Sequence, residues 1–222
     1  MALTELAPMD RVGDAVYEAI REAIFSGAVG PGSKLSVPFL AHQLGVSRSP
    51  VREAVLRLTQ ERLAIEEPRR GAVVAEVTVE DLAGLYEVRS VLEGLAARLA
   101  VERASGSLVP ELQALVDAHS QVVRLGDLAQ HRELDVRFHR RIRQEAGNPE
   151  LLSLLDGIQA RVRLAMLVTS VTSGPIRAIE DHQAIIDAIE SGDPERAERV
   201  ARSHPMRMRE ALLRSGSQPD GA

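Results

Sequence analysis

Apolar positions along this chain follow two rhythms, one for the first third and another for the rest. Val12, Ala15, Val16, Ala19, Ile20, Ala23 and Ile24 recur at helical spacing, and the run SGAVGPGS then breaks the helix. The stretch SVPFLAHQLGV predicts a short helix closing at Gly45. SRSPVREAVLRLTQERL predicts a second helix, with Ser47 able to cap it and Val51, Ala54, Val55, Leu58 and Leu63 on its apolar side. LAIEEPRRGAVVAEV then gives two apolar runs about a turn containing Pro and Gly, the pattern of a two-stranded hairpin with one of the longer loops.

From residue 78 onward the helical patterns lengthen. Thr78 with Asp81 opens one that runs to about Ala104, and Ser107 with Pro110 opens the next, to about Leu125. Asp127 starts a third that reaches Ala146. Asn148-Pro149, Ser173-Gly174-Pro175 and Asp193-Pro194 start three more. There is no internal repeat. The expected fold is mainly α: a winged helix-turn-helix of three helices and a small β-hairpin over residues 1–77, an all-α bundle of about six helices over 78–215, and a flexible tail over 216–222.

Composition narrows the functional classes. Apolar residues make up 45% of the chain and aromatics only 2%, so Leu, Val, Ala and Ile must fill the core. No run of 18 apolar residues exists, and the N-terminus lacks a basic segment followed by an apolar one, so neither a membrane span nor a secretory signal is expected. Without cysteine there is no thiolate metal site. A cytoplasmic protein is expected. The formal charge of −5 excludes a generally basic nucleic-acid coat but leaves room for a local basic patch.

Such a patch lies between residues 47 and 71, where six Arg face four Glu. In a helix-turn-helix the second helix enters the major groove and its first turn faces base edges. Here that turn carries Ser47, Arg48, Ser49 and Arg52. The arginine fork suits guanine, and hydroxyls suit phosphates. Arg69, Arg70 and Gly71 sit at the hairpin tip, where charge and bare backbone can approach a duplex. Solvated surface charge is the plainer reading, but turn, serines, arginines and wing tip occur in order. The expected partner is double-stranded DNA, read as a near-palindrome by a homodimer.

LGVSRSPVREAVLRL and RRGAVV closely resemble the DNA-binding domain of GntR-family bacterial transcription regulators over about residues 10–76. The resemblance implies that Arg48 and Arg52 read bases, with Ser47, Ser49 and Gly71 near the backbone or minor groove. Two positions depart from the family pattern. QERL puts Arg62 where the family has glycine after the recognition helix, and a left-handed conformation there would cost an arginine about 1 kcal/mol. Pro38 opens the preceding helix where many relatives carry a polar side chain.

In the second half, the helix from Asp127 to Ala146 sets Leu128, His131, Phe138, Ile142 and Ala146 on one side, with Asp135 and His139 in the middle of that stripe. Arg137, Arg140, Arg141 and Gln144 point away. A carboxylate on a dry face needs a compensating charge. His182, among Ala178, Ile179, Ile185, Ile186 and Ile189, also lies mid-stripe, as does His204 among Ala197, Val200, Ala201, Met208 and Ala211. Each alone would read as a core histidine. Together, one Asp and three neutral His can converge on a divalent metal such as Zn²⁺ or Ni²⁺ within a bundle. His42 lies in the DNA-binding half, and His119 and His131 have no assignable partner, which makes them structural or exposed.

YEVRSVLEGLAARLA, DVRFHRRI, AGNPELL and EDHQAIIDAIESGDPERA resemble, in order, the FCD sensor domain of the FadR subfamily over about residues 79–214. That resemblance implies a metal held by Asp135, His139, His182 and His204 and a small organic acid bound near it. Pro205 follows His204 and disfavours helical geometry just before it. Arg89 lies on the apolar side of its helix with Leu82, Leu85, Tyr86, Leu92 and Ala96. It either braces the bundle with Glu93 or offers a fork to an effector carboxylate. Three functions compete: a ligand-responsive transcription regulator, a metal hydrolase, and a metal-free acyl-responsive regulator. The hydrolase lacks an assignable general base on the inward faces, and the full Asp/His set argues against the metal-free regulator.

Overall fold

A computed structural model describes residues 10–103, 106–167 and 174–216. They fall into two compact units: one is built from the residues up to Thr78 plus a stretch beginning at Ala160, the other from the remainder. Of the tail expected over 216–222, Gly216 ends the last helix and 217–222 lie outside the described set, as do Ser173, Ala104 and the first nine residues.

The first unit contains α1 (Asp10–Phe25), α2 (Val37–Leu44), α3 (Arg48–Gln60), β1 (Ala64–Glu67) and β2 (Gly71–Val74). Val16, Tyr17, Ile20 and Ile24 form the buried stripe of α1 and pack on Val51, Ala54, Val55 and Leu58 of α3. Fully burying such an aliphatic side chain contributes about 1.5–3 kcal/mol. Pro38 stands in the first turn of α2, where its missing N–H costs nothing. The strands pair antiparallel from Ala64↔Val74 to Glu67↔Gly71, leaving Pro68, Arg69 and Arg70 as the loop. Lys34 bridges Val73 on the other side of β2.

Three helices stop in the same way. At each end a residue just after the helix is left-handed, its N–H and the next one reaching back to carbonyls of the last turn. Gly45 (φ 64°) does this after α2 and Gly126 (φ 74°) after α5. After α3 the left-handed position comes one residue later, beyond the right-handed Glu61, and falls to Arg62, at φ 58°. Arg62 N–H donates to Thr59 O at 3.0 Å, and Leu63 N–H to Leu58 O at 2.9 Å. The left-handed arginine anticipated from QERL is present. Ser47 occupies the cap position of α3, but its side chain makes no capping hydrogen bond, which corrects the expectation that it caps the helix.

The remaining helices are α4 (Val79–Glu102), α5 (Leu108–Leu125), α6 (Leu128–Glu145), α7 (Pro149–Ala165), α8 (Pro175–Glu190) and α9 (Pro194–Gly216), the expected six; all belong to the second unit except the end of α7 from Ala160, which is counted with the first. Ala96, Leu112, Phe138, Ile142, Leu155, Ile185, Ile186 and Ala201 anchor one apolar cluster. The cluster is aliphatic because the chain has so few aromatics to spend. α4 and α9 approach closely at Gly94, where an added Cβ would come within 2.3 Å of Arg202 Cγ and 3.1 Å of the Glu198 carbonyl. The helix α9 runs through Pro205 without breaking. Hydroxyls satisfy nearby carbonyls: Ser203 Oγ donates to Val200 O at 2.7 Å and Ser90 Oγ to Arg202 O at 2.9 Å.

Candidate metal centre and nucleic-acid interface

In the first unit the first turn of α3 leaves Ser47, Arg48, Ser49 and Arg52 exposed, and the hairpin tip exposes Arg69, Arg70 and Gly71. The tip is shaped by two left-handed residues, Arg69 (φ 67°) and Gly71 (φ 78°). Arg70 is not a loose charge. Its Nη1 donates to Glu67 Oε2 at 2.6 Å and its Nη2 to Gly32 O at 3.1 Å, which fixes the root of the wing. Arg57, also counted in the basic stretch, lies over the Tyr17 ring at 3.9 Å and pairs with Asp14 at 2.6 Å. It therefore serves the α1–α3 packing.

In the second unit α6 and α8 and α9 bring Asp135, His139, His182 and His204 together, with one ligand atom from each lying within 4.8 Å of all the others. His139, His182 and His204 are buried, and the Asp135 side chain is 25% exposed. Asp135 Oδ1 stands 3.3 Å from His182 Nε2. The rings touch as well: His139 and His204 stack with centroids 5.1 Å apart, and Phe138 stacks on His182 at 4.1 Å. His139 Nε2 and both ring nitrogens of His182 are buried without a hydrogen-bond partner among the described residues. Buried polar atoms are normally satisfied, and a cation would satisfy His139 Nε2 and one nitrogen of His182. The cluster can hold a metal, and Pro205 does not turn His204 away from it.

Behind the histidines stand groups that the sequence did not single out. Asp181 Oδ2 accepts from His204 Nδ1 at 2.9 Å and from Arg207 Nε at 3.0 Å, and Arg207 Nη2 meets Asp181 Oδ1 at 2.7 Å. Glu93 Oε1 lies 3.8 Å from His139 Nδ1, accepts from Arg89 Nε at 3.1 Å, and is clamped by Arg143 Nη2 at 2.5 Å. Arg143 is among the most deeply buried side chains of the protein. Three members of this charged knot, Arg89, Glu93 and Arg143, are buried, and Arg143 Nη1 also reaches Asp156 Oδ1 at 3.5 Å, so two arginines face two carboxylates. Arg89 Nη2 has no partner among the described residues. The pairing with Glu93 anticipated for Arg89 is therefore present, yet half of its fork is left over.

The pKa values follow from this arrangement. Burial is the largest influence on His139 and takes its pKa well below the ordinary range, with Glu93 and Asp135 pulling it up and Arg89 pushing it down. Burial likewise lowers His204 against the upward pull of Asp181. Burial alone would raise Glu93, but Arg143, His139 and Arg89 together hold it below the usual carboxylate range. Burial also opposes ionisation of Asp135, and His182, His139 and His204 overcome it. His139 and His204 are therefore kept neutral and Asp135 ionised, the protonation states that metal ligands need.

His119 and His131, left without partners in the sequence reading, pair with each other: His119 Nε2 and His131 Nδ1 share a hydrogen bond. His119 is buried and its ring lies 5.5 Å from that of His182. Burial, then His182 and His131, push the His119 pKa down to about 4. The missed signal was a spacing. His131, Asp135, His139 and Arg143 fall at every fourth residue and so form one ridge of α6.

A winged helix-turn-helix and a helical bundle in one chain define a class, the two-domain DNA-binding regulators. The comparisons place the chain within it. Residues 13–74 match the family model for bacterial regulatory proteins of the gntR family, and residues 84–207 match that for the FCD domain. The chain belongs to the gntR family and carries an FCD domain. It is 31% identical over 95% of its length to the probable D-xylose utilization operon transcriptional repressor of Paenarthrobacter nicotinovorans, covering 93% of that protein. It is 25% identical over 94% of its length to the HTH-type transcriptional repressor RspR of Escherichia coli (strain K12), covering 92% of it. The solved structure of E. coli McbR/YncC superposes with a TM-score of 0.76 at 26% identity, over 93% of this chain and 99% of that one. The protein is a transcriptional regulator: its matched domains and relatives are those of regulators, not of enzymes. None of its described helices is long and apolar enough to cross a membrane.

Proposed function

We propose that this regulator senses a small organic acid through a divalent metal in its FCD domain and passes the signal to DNA. The observation that carries the reading is the cluster of Asp135, His139, His182 and His204, one ligand atom from each within 4.8 Å of the others, in which His139 Nε2 and the ring nitrogens of His182 are buried without a hydrogen-bond partner among the described residues. Three imidazoles and one carboxylate form a borderline donor set, suited to Zn²⁺ or Ni²⁺. Asp135, His139, His182 and His204 would hold the ion, and the ion would offer open positions to a ligand oxygen. Arg89 Nη2, buried and unpaired, supplies a donor for the same anion.

At the other end, Arg48 and Arg52 would read base edges, Ser47 and Ser49 would meet phosphates, and Arg70 with Gly71 would set the wing against the duplex. A homodimer would present two such helices to a near-palindromic operator in the cytoplasm. The acid matters only if two arrangements of the dimer bind it unequally. Calorimetry against a panel of mono- and dicarboxylates, with and without metal, tests the first link, and operator titration with the best binder tests the second. Acid binding that needs the metal, weakens in Arg89→Ala and changes operator affinity supports the mechanism. Equal binding to metal-stripped protein overturns it.

A further inference from the structure

Two of the three histidines in the cluster share an arrangement that the third lacks. On His204, Nδ1 faces Asp181 at 2.9 Å; on His139, Nδ1 faces Glu93 at 3.8 Å. Both ring nitrogens of His182 have no hydrogen-bond partner among the described residues. Each carboxylate is itself pinned by an arginine from the helix that carries its histidine: Arg207 lies three residues after His204, and Arg143 four residues after His139. The carboxylates come from other helices, Asp181 from α8 and Glu93 from α4. The pattern is thus repeated on two independent helix pairs: imidazole, carboxylate, guanidinium.

We propose that Asp181 and Glu93 are positioning residues for the metal centre: Asp181 accepts the Nδ1–H of His204, and Glu93 sets its negative charge 3.8 Å from Nδ1 of His139, close enough to favour a proton there without a hydrogen bond, so that Nε2 is the nitrogen offered to the cation. The inference rests on the metal reading above. Its physical basis is tautomer selection. A neutral imidazole carries one proton, and a carboxylate beside Nδ1 favours the tautomer with the proton there. The lone pair then lies on Nε2, the atom that is buried and unpartnered on His139. An ionised acceptor behind the ring also makes Nε2 a stronger donor to the metal. The arginines matter because they fix where each carboxylate stands: Arg207 meets both oxygens of Asp181, and Arg143 Nη2 meets Glu93 Oε1. Glu93 has a second consequence. Its Oε1 faces both His139 Nδ1 and Arg89 Nε, so one carboxylate joins the metal ligand to the arginine offered to the effector.

The test uses the full chain with zinc alone. Chelator competition gives the zinc dissociation constants of the wild type, Glu93→Gln and Asp181→Asn, variants that keep the shape and remove the charge. Each should still take up zinc at saturation, with affinity lowered about 10–100-fold. Nitrogen-15 spectra of the zinc-loaded wild type should show His139 and His204 protonated at Nδ1 and ligated through Nε2. This second readout needs no variant to fold and would not move with a purely structural role. Unchanged zinc affinity in both folded variants, or ligation through Nδ1 of His139 and His204, overturns the assignment. A wild type that binds no zinc removes the metal reading itself, a distinct failure.

Discussion

Replacing Arg62 with glycine should make the first unit more stable. Arg62 sits at φ 58°, where its Cβ crowds the carbonyl that follows, a conformation that costs an L-residue roughly 1–2 kcal/mol. Glycine removes that cost but gives the unfolded chain more freedom, worth about 0.4–1 kcal/mol in the opposite direction. The side chain is exposed and has no hydrogen bond or ion pair among the described residues, so little contact is lost. The net expectation is a gain of about 0.5–1 kcal/mol. In a unit of this size that raises the midpoint by several degrees, roughly 4–8 °C per kcal/mol. Scanning calorimetry of the full chain should show the shift in one transition and leave the other in place. Gly126→Ala supplies the mirror experiment in the second unit, because the same backbone motif there already carries glycine at φ 74°. It should destabilise. A neutral or destabilising Arg62→Gly, with Gly126→Ala harmful, would mean that the arginine makes a compensating interaction, and the strain argument would fall.

Arg52→Ala should weaken operator binding by about 1–3 kcal/mol and relax base preference, which binding to a set of operator variants measures; an unchanged preference would remove Arg52 from base reading. In metal-stripped protein, stability should fall as the solution is acidified. His119 has a folded pKa of about 4 against an ordinary 6.5, so the unfolded chain takes the proton first. Its contribution is intact above about pH 6.5 and is lost as the pH falls towards 4, at most about 3 kcal/mol. His131, His139 and His204, all lowered chiefly by burial, act in the same direction. Urea unfolding across that range checks the slope, and a flat profile would contradict it.

The sequence made the elements legible because each carries its own punctuation. Gly45, Asn148-Pro149 and Asp193-Pro194 mark helix ends directly, and the four-residue spacing of Asp135 and His139 puts both on one ridge. The left-handed Arg62 was readable for the same reason, since the motif that ends a helix is local. Partners across helices were not readable. Arg143 lies within RRIRQE, where charge suggests surface, and only the position of Glu93 on α4 explains its burial. Asp181 precedes His182, yet its imidazole partner is His204 on α9. The pairing of His119 with His131 required α5 and α6 to lie side by side, which periodicity does not encode. Ser47 shows the reverse limit: a residue type suited to capping stands at the cap and leaves its hydroxyl out of the helix.

Metal content is the most direct measurement of the central claim. Protein prepared without an affinity tag, after dialysis against metal-free buffer, should retain a divalent ion near one equivalent per chain by elemental analysis. His182→Ala, shown to be folded by circular dichroism, should retain far less. Stripping the wild type should lower its thermal midpoint and re-adding zinc or nickel should restore it, since a ligand present at about 100 times its Kd stabilises the folded state by about 2.7 kcal/mol. A wild type that neither retains nor takes up a divalent ion, or a His182→Ala protein with unchanged content, would contradict the account.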